Sequence, residues 1–149
     1  MKHVAITGAS AGIGEALVRE FARAGWAVTM VARRRDRMEQ LAKEVGGRTQ
    51  VFAVDLADVD HAADWLAPAE AALGVIDVLI NNAGIMYIAP SATMPWAHVE
   101  AMLRIDFGTP IKLVHAVFPG MLARRNGVIV EISSMSGVAP THGMGYYAA

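Results

Sequence analysis

Short apolar runs alternate with longer segments of helical periodicity along the whole chain. Five runs have the length of buried strands, and each is bounded by small, polar or turn-forming residues. They cover residues 4–6, 27–32, 50–54, 75–80 and 128–132. In the segments between them, apolar residues recur at three- and four-residue spacing. This alternation predicts βαβ units with right-handed crossovers, and hence an α/β fold with an open parallel sheet.

Four long helices are predicted between these strands. Their approximate limits are 15–23, 33–45, 58–73 and 97–122. Asp58 has the residue type of an N-cap and is the predicted start of the third helix. The fourth helix contains Gly108 and Pro110, and the proline should bend or break it.

Composition narrows the class of protein. Hydrophobic residues make up 54% of the 149 residues and charged residues 18%, which suits one domain built on a sheet covered on both faces. The net charge of −1 argues against a nucleic-acid partner. The chain has no Cys, which is compatible with a reducing cytoplasm, and its five His show no metal-ligand spacing. We therefore expect no metal site, and no apolar run is long enough to predict a membrane span.

A glycine-rich stretch, Thr7-Gly8-Ala9-Ser10-Ala11-Gly12-Ile13-Gly14, separates the first strand from the first helix. Glycines let the backbone approach a phosphate closely, and the N–H groups and dipole of the following helix favour negative charge. Strand, glycine-rich turn and helix in this order predict an anion site. A glycine pattern alone also fits an ordinary tight turn.

The end of the second strand bears on the choice of cofactor. A dinucleotide fold normally places an acidic residue about 20 residues past the glycine loop, where it binds the ribose 2′-hydroxyl. Here Ala32 carries no carboxylate, and Arg33 and Arg34 follow it. Guanidinium groups make charge-assisted hydrogen bonds to phosphate, so we expect a 2′-phosphate and NADP(H), with NAD as the less favoured cofactor. The alternative is an exposed basic start of a helix.

Four motifs together resemble the short-chain dehydrogenase/reductase family. They are Thr7-Gly8-x-x-x-Gly12-x-Gly14, Asp55-Leu56 after the third strand, Asn81-Asn82-Ala83-Gly84 after the fourth, and Ser134 with Tyr147 after the fifth. They stand in the family's order and cover essentially the whole chain. The resemblance implies a doubly wound Rossmann fold with five of the family's seven strands. It also implies one dinucleotide-binding domain over residues 1–149, which stops just after the catalytic Tyr.

The resemblance further implies which residues hold the cofactor. They are Gly8, Ser10, Gly12, Ile13 and Gly14 of the loop, Arg33 and Arg34, Asp55 and Leu56, and Asn82, Ala83 and Gly84. In the family, the carboxylate that matches Asp55 hydrogen-bonds the adenine. The backbone that matches 82–84 borders the adenosine half of the cofactor and helps to hold the sheet.

Catalysis by Ser134 and Tyr147 is implied in the same way. Their separation of 13 positions matches the family, although Ser133 and Tyr146 fit it equally by counting. Tyr147 opens a run that resembles the family's Tyr-x-Ala-Ser-Lys box, and the second Ser of an Ile-Ser-Ser triplet is the family's usual choice. The family's Ser polarises the carbonyl, and its Lys lowers the pKa of the Tyr, which is ordinarily near 10. That Lys would stand at the second residue beyond Ala149.

Asp106 departs from the family pattern. The family has an Asn here as a fourth catalytic member, and an Asp keeps the acceptor oxygens but loses the amide donor and adds charge. Four loop methionines on the carboxyl side of the sheet are candidates either for an apolar substrate pocket or for simple gap filling. They are Met86, Met94, Met135 and Met144.

These features predict an NADP(H)-dependent oxidoreductase that transfers hydride reversibly between nicotinamide and a small carbonyl or alcohol substrate. A non-catalytic nucleotide-binding or regulatory module is the alternative: Asp106 and the Lys position beyond Ala149 favour it, and the Ser134–Tyr147 spacing argues against it. A related epimerase or dehydratase usually carries a TGxxGxxG loop, which residues 7–14 do not match. The family often pairs through two long helices, so we expect a homo-oligomer when the protein is full length.

The fifth predicted strand is apolar and lacks the Lys or Pro that protects many edge strands. We therefore expect residues 1–149, when expressed alone, to aggregate or to fold only loosely. We also expect the working protein to be longer, as in the family that it resembles. Substrate-covering segments often become ordered only when ligand binds, which fits a mobile C-terminal part.

Overall fold

A five-stranded parallel sheet forms the centre of the computed structural model, which describes residues 2–139 and 141–149. The strands are β1 (His3–Thr7), β2 (Ala27–Ala32), β3 (Thr49–Ala53), β4 (Val78–Asn81) and β5 (Val128–Glu131). They lie in the order β3-β2-β1-β4-β5. In register, Val4 pairs with both Val28 and Val78. The strand order reverses between β1 and β4, and the prediction of an open, doubly wound parallel sheet is confirmed.

Helices cover both faces of this sheet. They are α1 (Gly12–Arg23), α2 (Arg35–Val45), α3 (Leu66–Leu73), α4 (Trp96–Met102), α5 (Thr109–Ala123) and α6 (Gly145–Ala148). A π-helical segment, Leu103–Gly108, joins α4 to α5, and a 3-10 turn covers Met135–Gly137. None of these helices is long and apolar enough to cross a membrane.

Each face of the sheet buries its own apolar cluster, because successive side chains of a strand point to opposite faces. One cluster joins Val4, Ile6, Val28, Met30 and Ile80 to Val18 of α1 and to Met38 and Leu41 of α2. The other joins Ala5, Val31 and Leu79 to Trp65, Leu66, Leu113 and Met121. The chain therefore places α1 and α2 on one face and α3 and α5 on the other.

The predicted third helix is wrong in its first half. Residues 59–65 form turns, α3 begins only at Leu66, and Asp58 is not its N-cap. Pro68 explains the shorter helix. It has no N–H for the carbonyl of Asp64, and its ring would clash with that carbonyl inside a longer helix, whereas the first turn tolerates it.

The long helix after β4 is interrupted near the predicted proline. Pro110 stands in the first turn of α5 and cannot donate a hydrogen bond to the carbonyl of Asp106. Immediately before α5, the bonding changes to the wider π pattern over Leu103–Gly108. This segment carries Asp106, so the interruption fixes where that side chain lies.

Only β2 has its predicted limits: β1 is one residue longer at each end, β3 lies one residue earlier, and β4 and β5 also differ. β4 starts at Val78 rather than at 75, because side chains occupy the backbone groups of Ile76: Glu70 Oε1 accepts its N–H at 3.0 Å, and Arg124 donates to its carbonyl. β5 ends at Glu131 and is the outer strand of the described sheet beside β4, with Val128 53% exposed.

Candidate cofactor and catalytic site

The glycine loop is shaped by two glycines in the left-handed region and by one close approach. Gly8 has φ +67° and Gly12 has φ +60°, conformations that side chains with a Cβ rarely adopt. Gly14 is buried in the first turn of α1. A Cβ there would overlap the carbonyl oxygen of Gly8 and lie 2.6 Å from Asn82 Nδ2. The loop therefore packs on the chain that follows β4.

Thr7 and Asn82 hold the ends of β1 and β4 together. Thr7 Oγ1 accepts the backbone N–H groups of Asn82 and Ala83, each at 3.0 Å. In return, Asn82 Nδ2 donates to the carbonyl of Thr7 at 2.9 Å. This exchange places residues 82–84 beside the glycine loop, at the point where the strand order reverses and where open parallel sheets bind ligands.

A cavity of about 480 Å³ opens at this point. Most of the predicted cofactor residues line it: Gly8, Ser10, Ile13, Arg33, Arg34, Asp55, Leu56, Asn82, Ala83 and Gly84. Gly12 and Gly14 do not line it, and their contribution is the shape of the loop. The carboxyl ends of β1, β2, β3 and β4 thus supply one site.

Five lining residues were missed by the sequence analysis. They are Ala11, Ala32, Val54, Ile85 and Ile105. The first four are direct neighbours of predicted residues, so their positions in the chain could have indicated them. Ile105 comes from the π-helical segment, and no signal in the sequence places it at the cavity.

Arg33 and Arg34 both line the cavity but differ in their contacts. Arg34 donates from Nε and Nη2 to Ser10 Oγ, at 3.2 and 2.9 Å, and so links the end of β2 to the glycine loop. Arg33 is exposed and also lines the cavity. Both guanidinium groups therefore stand where the second strand ends, as the sequence predicts.

The groups around the cavity match the chemical groups of a dinucleotide cofactor. The N-cap of α1 is Ala11, which has no side chain to cap the helix, so the first N–H groups of α1 face the loop without a side-chain acceptor. Uncapped N–H groups at the start of a helix bind phosphate oxygens well. Asp55 is exposed at the opposite part of the cavity, with Oδ1 accepting the N–H of Ala57 at 3.0 Å. One carboxylate oxygen is left for an adenine amino group.

Ser134 and Tyr147 are brought to the same region by the turn after β5. Ser134 is the N-cap of the 3-10 turn, and its Oγ accepts the N–H of Ser136 at 3.1 Å. α6, which carries Tyr147, packs against that turn. Ser134 and Tyr147 are half-buried, whereas Ser133 and Tyr146 are exposed. The burial pattern thus favours the predicted pair over its neighbours.

Asp106 lies behind the cavity rather than in its lining. Its Oδ1 accepts the backbone N–H of Ile85 at 2.8 Å, and Ile85 itself lines the cavity. Within the described residues, Oδ2 is buried without a hydrogen-bond partner. Burial raises the pKa of the Asp106 carboxyl above its ordinary value, and the hydrogen bond from Ile85 only partly opposes this shift. Asp106 therefore positions the segment that follows β4.

We expect Asp106→Asn to change how stability depends on pH. Because the folded-state pKa is raised, the carboxyl's contribution to stability is fully present below its ordinary value of 3.8 and is lost as pH rises through the raised pKa. An Asn has no such loss, so the unfolding free energy of the wild type relative to Asp106→Asn should fall from pH 3.5 to pH 7. Urea unfolding at a series of pH values measures this. Asp36→Asn, at an exposed position of α2, is the control, and a difference that does not vary with pH would contradict the expectation.

His3 is a structural histidine. It is fully buried, with Nδ1 2.7 Å from the carbonyl oxygen of Gly74 and Nε2 2.9 Å from Thr29 Oγ1. Burial lowers the pKa of His3, which keeps the ring neutral in this network. In the described ranges 2–139 and 141–149, no group of three or more His, Asp or Glu side chains is arranged to hold a metal ion.

Comparison with known proteins gives the family. The family profile described as short chain dehydrogenase matches residues 2–149. A short chain dehydrogenase of Pseudocercospora fijiensis is 34% identical over 94% of this chain and 47% of its own. An NADP-dependent 3-hydroxy acid dehydrogenase of Shigella flexneri is 32% identical over 98% of this chain and 59% of its own. The chain thus spans about half the length of the curated relatives it matches.

Solved structures agree with this result. A metagenomic short-chain oxidoreductase in complex with NADP has a TM-score of 0.93 and 33% identity, covering 99% of this chain and 68% of its own. The doubly wound sheet, with a cavity where its strand order reverses, is a Rossmann-type nucleotide-binding fold. The chain belongs to the short-chain dehydrogenase family.

Proposed function

We propose that the protein is an NADP(H)-dependent oxidoreductase that transfers hydride reversibly between nicotinamide and a carbonyl or alcohol substrate. The observation that carries this proposal is the cavity of about 480 Å³ that joins the glycine loop, the paired arginines after β2 and residues 82–84. The NADP complex of the metagenomic neighbour supports the choice of cofactor. NAD is the less favoured cofactor because no carboxylate follows Ala32.

In this proposal the chain holds the cofactor from three sides. The uncapped start of α1 and the loop at Gly8 receive the pyrophosphate, and Gly12 gives that loop its shape. Arg33 binds the 2′-phosphate, while Arg34 holds the glycine loop in position through its hydrogen bond to Ser10. Asp55 accepts a hydrogen bond from the adenine, next to Leu56, and the backbone of 82–84 borders the adenosine.

The chemistry then falls to the residues after β5. The bound nicotinamide supplies or accepts the hydride. Since Ser134 Oγ already accepts the N–H of Ser136, its own hydrogen remains to be donated to the carbonyl oxygen of the substrate. Tyr147 gives a proton to that oxygen as negative charge develops on it. A cation one helical turn on would lower the pKa of the tyrosine, and the family's Lys falls beyond Ala149.

The non-catalytic nucleotide-binding module remains the second candidate because of one observation. Among the described residues, one buried carboxylate oxygen of Asp106 has no hydrogen-bond partner, at the position where the family has its fourth catalytic member, an Asn. The deciding experiment is NADPH-driven reduction of simple carbonyl compounds by the full-length protein. Turnover that Tyr147→Phe removes while NADPH still binds supports the enzyme. Tight NADPH binding without turnover across a broad panel supports the module.

Arg33→Ala is expected to weaken NADPH binding by about ten- to a hundredfold, because it removes a charged partner of the 2′-phosphate. NADH affinity should stay nearly unchanged. Fluorescence titration with both cofactors measures the two dissociation constants. Arg37→Ala removes an exposed charge of α2 outside the cavity and serves as the control. If Arg33→Ala weakened NADH and NADPH equally, the assignment to the 2′-phosphate would be wrong.

We also propose that the full-length protein forms a homo-oligomer. One side of the long helix after β4 exposes large apolar residues, and such patches are typical of protein interfaces. They are Phe107, Ile111, Phe118 and Leu122. Sedimentation of the full-length protein should therefore show a species larger than a monomer, and Phe118→Glu should shift it toward the monomer. A wild type that sediments as a monomer at micromolar concentration would refute this.

A further inference from the structure

Two segments meet beside the candidate catalytic pair. One follows β4, and the other runs from the 3-10 turn to α6. The N–H of Ala89 donates to the carbonyl of Gly143 at 3.0 Å. A Cβ added to Gly143 would lie 3.0 Å from Ile88 Cγ2, and one added to Gly145 would lie 2.7 Å from Ser91 Oγ. The two segments therefore form one continuous surface next to Ser134 and Tyr147.

This surface presents large apolar side chains to solvent. They are Met86 (47% exposed), Ile88 (59%), Met135 (75%), Val138 (82%) and Tyr146 (41%), and we call them the apolar wall. Met135 directly follows Ser134, and Tyr146 directly precedes Tyr147. Isolated exposed apolar residues are ordinary, but a group of them beside polar reactive groups marks a ligand surface.

Charge is missing from both segments. Residues 84–99 and 132–149 contain no Asp, Glu, Lys or Arg, although these residues make up 18% of the chain. The segments also hold two histidines: His142 is exposed, and His98 is stacked on Tyr87 with ring centroids 3.9 Å apart. A carboxylate or phosphate brought to the wall would therefore lose water without meeting a Lys or Arg from either segment.

We propose that the apolar wall receives the apolar substituents of an uncharged ketone or aldehyde, and that the site discriminates against substrates whose substituent carries an anion. The proposal rests on the oxidoreductase function proposed above and adds the class of its substrate. Two of the five wall residues are methionines, whose unbranched side chains adapt to substituents of different shape. The site should thus accept a range of bulky apolar groups. The relative from Shigella flexneri is by its name specific for 3-hydroxy acids, so this chain would differ from it.

Three probes that share a methyl ketone and a seven-carbon chain test the proposal. They are 2-heptanone, 6-oxoheptanoate and methyl 6-oxoheptanoate, which end in a methyl group, a carboxylate and a methyl ester. We expect kcat/KM of the full-length protein with NADPH to be about ten- to a hundredfold lower for the keto acid than for the other two. The methyl ester separates charge from size, because it is the largest of the three probes and is uncharged.

A cation added to the wall should change this ranking. Met135→Lys and Val138→Lys replace exposed side chains, so the fold has little reason to change, and each should raise the keto acid's kcat/KM relative to that of 2-heptanone by at least about fivefold. Val75→Lys adds the same charge at an exposed apolar position just before β4 and is the matched control. This position lies at the amino end of the parallel strands, whereas the wall follows their carboxyl ends. The ratio of kcat/KM for the keto acid to that for 2-heptanone should be the same in this variant as in the wild type.

Turnover and binding are read separately, so that failure of the substrate class can be told from failure of the function. If the keto acid reacts as well as 2-heptanone, the substrate class is wrong while the oxidoreductase function stands. If no probe reacts, saturation-transfer NMR on the NADP⁺-loaded protein gives the binding ranking. Preferential binding of the uncharged probes then supports the apolar wall, although the proposed function fails. Equal binding, no binding, or a ratio that Met135→Lys leaves unchanged overturns the inference.

Discussion

Gly14→Ala is expected to abolish tight NADPH binding and to lower the free energy of unfolding by about 1–3 kcal/mol. The added Cβ would overlap the carbonyl oxygen of Gly8 and press on the Asn82 side chain. Neither neighbour can move alone, because Asn82 is bonded to Thr7 and the Gly8 carbonyl belongs to the loop proposed to receive the pyrophosphate. NADPH titration and urea unfolding measure the two effects.

Gly120→Ala is the matched control, since it makes the same change inside another helix. There the new Cβ would lie 3.3 Å from Arg124 Nη1, and Arg124 also donates to the carbonyl of Ile76, so the guanidinium group has to shift slightly. Alanine is the better helix former by about 0.8–1.0 kcal/mol, which offsets this shift, so the variant should bind NADPH normally and keep nearly the stability of the wild type. If both variants behaved alike, the close approach at Gly14 would have no special role.

Much of the sheet could be predicted because burial on both faces leaves a strong pattern. Residues 27–32 form an apolar run broken only by Thr29, and β2 has those limits in the structure. A central parallel strand is covered on both sides, so Arg33, the first charged residue after the run, marks its end. β4 was harder, because Val75 and Ile76 are as apolar as the strand itself. The side chains of Glu70 and Arg124 bond the backbone of Ile76 before the ladder begins, and Arg124 is 48 positions away in the sequence.

The third helix shows a different limit of sequence reasoning. Apolar residues at helical spacing, including Ala62 and Trp65, do reach the core, so their periodicity was informative about burial. It was not informative about hydrogen bonding, because consecutive turns can present the same residues to the sheet. Pro68 indicates the late start of α3, because proline is tolerated only in the first turn of a helix.

The sequence predicts those parts of the candidate site that depend on residue type and local order. It does not predict the hydrogen bonds that join segments distant in sequence. The glycine loop and the arginines after β2 could be read from residue type and order. The hydrogen bonds from Arg34 to Ser10 could not, because each side chain has several partners compatible with its chemistry. The same holds for Asp106, whose bond to the N–H of Ile85 spans 21 positions. That contact gives Asp106 a structural role, in positioning the loop after β4, at the place where the family has its fourth catalytic member.

Tyr147→Phe is expected to cut turnover by about 10²–10⁴-fold in a form of the protein that includes the Lys expected beyond Ala149. The variant keeps the ring and loses only the hydroxyl that would protonate the substrate's oxygen. NADPH affinity should not change, since Tyr147 is not among the residues lining the cofactor cavity. Single-turnover hydride transfer, followed by loss of NADPH absorbance, separates the chemical step from product release.

Tyr146→Phe tests the same removal one residue earlier and should be mild. Tyr146 is 41% exposed, and a side chain open to water is poorly placed to deliver a proton to a shielded carbonyl. Tyr147 is half-buried in α6, which packs against the turn that Ser134 caps, so in this proposal its hydroxyl shares the substrate's oxygen with that serine. The reverse ranking would move the assignment to Ser133 and Tyr146. Equal, small effects of both substitutions would remove the tyrosine from the mechanism and favour the nucleotide-binding module.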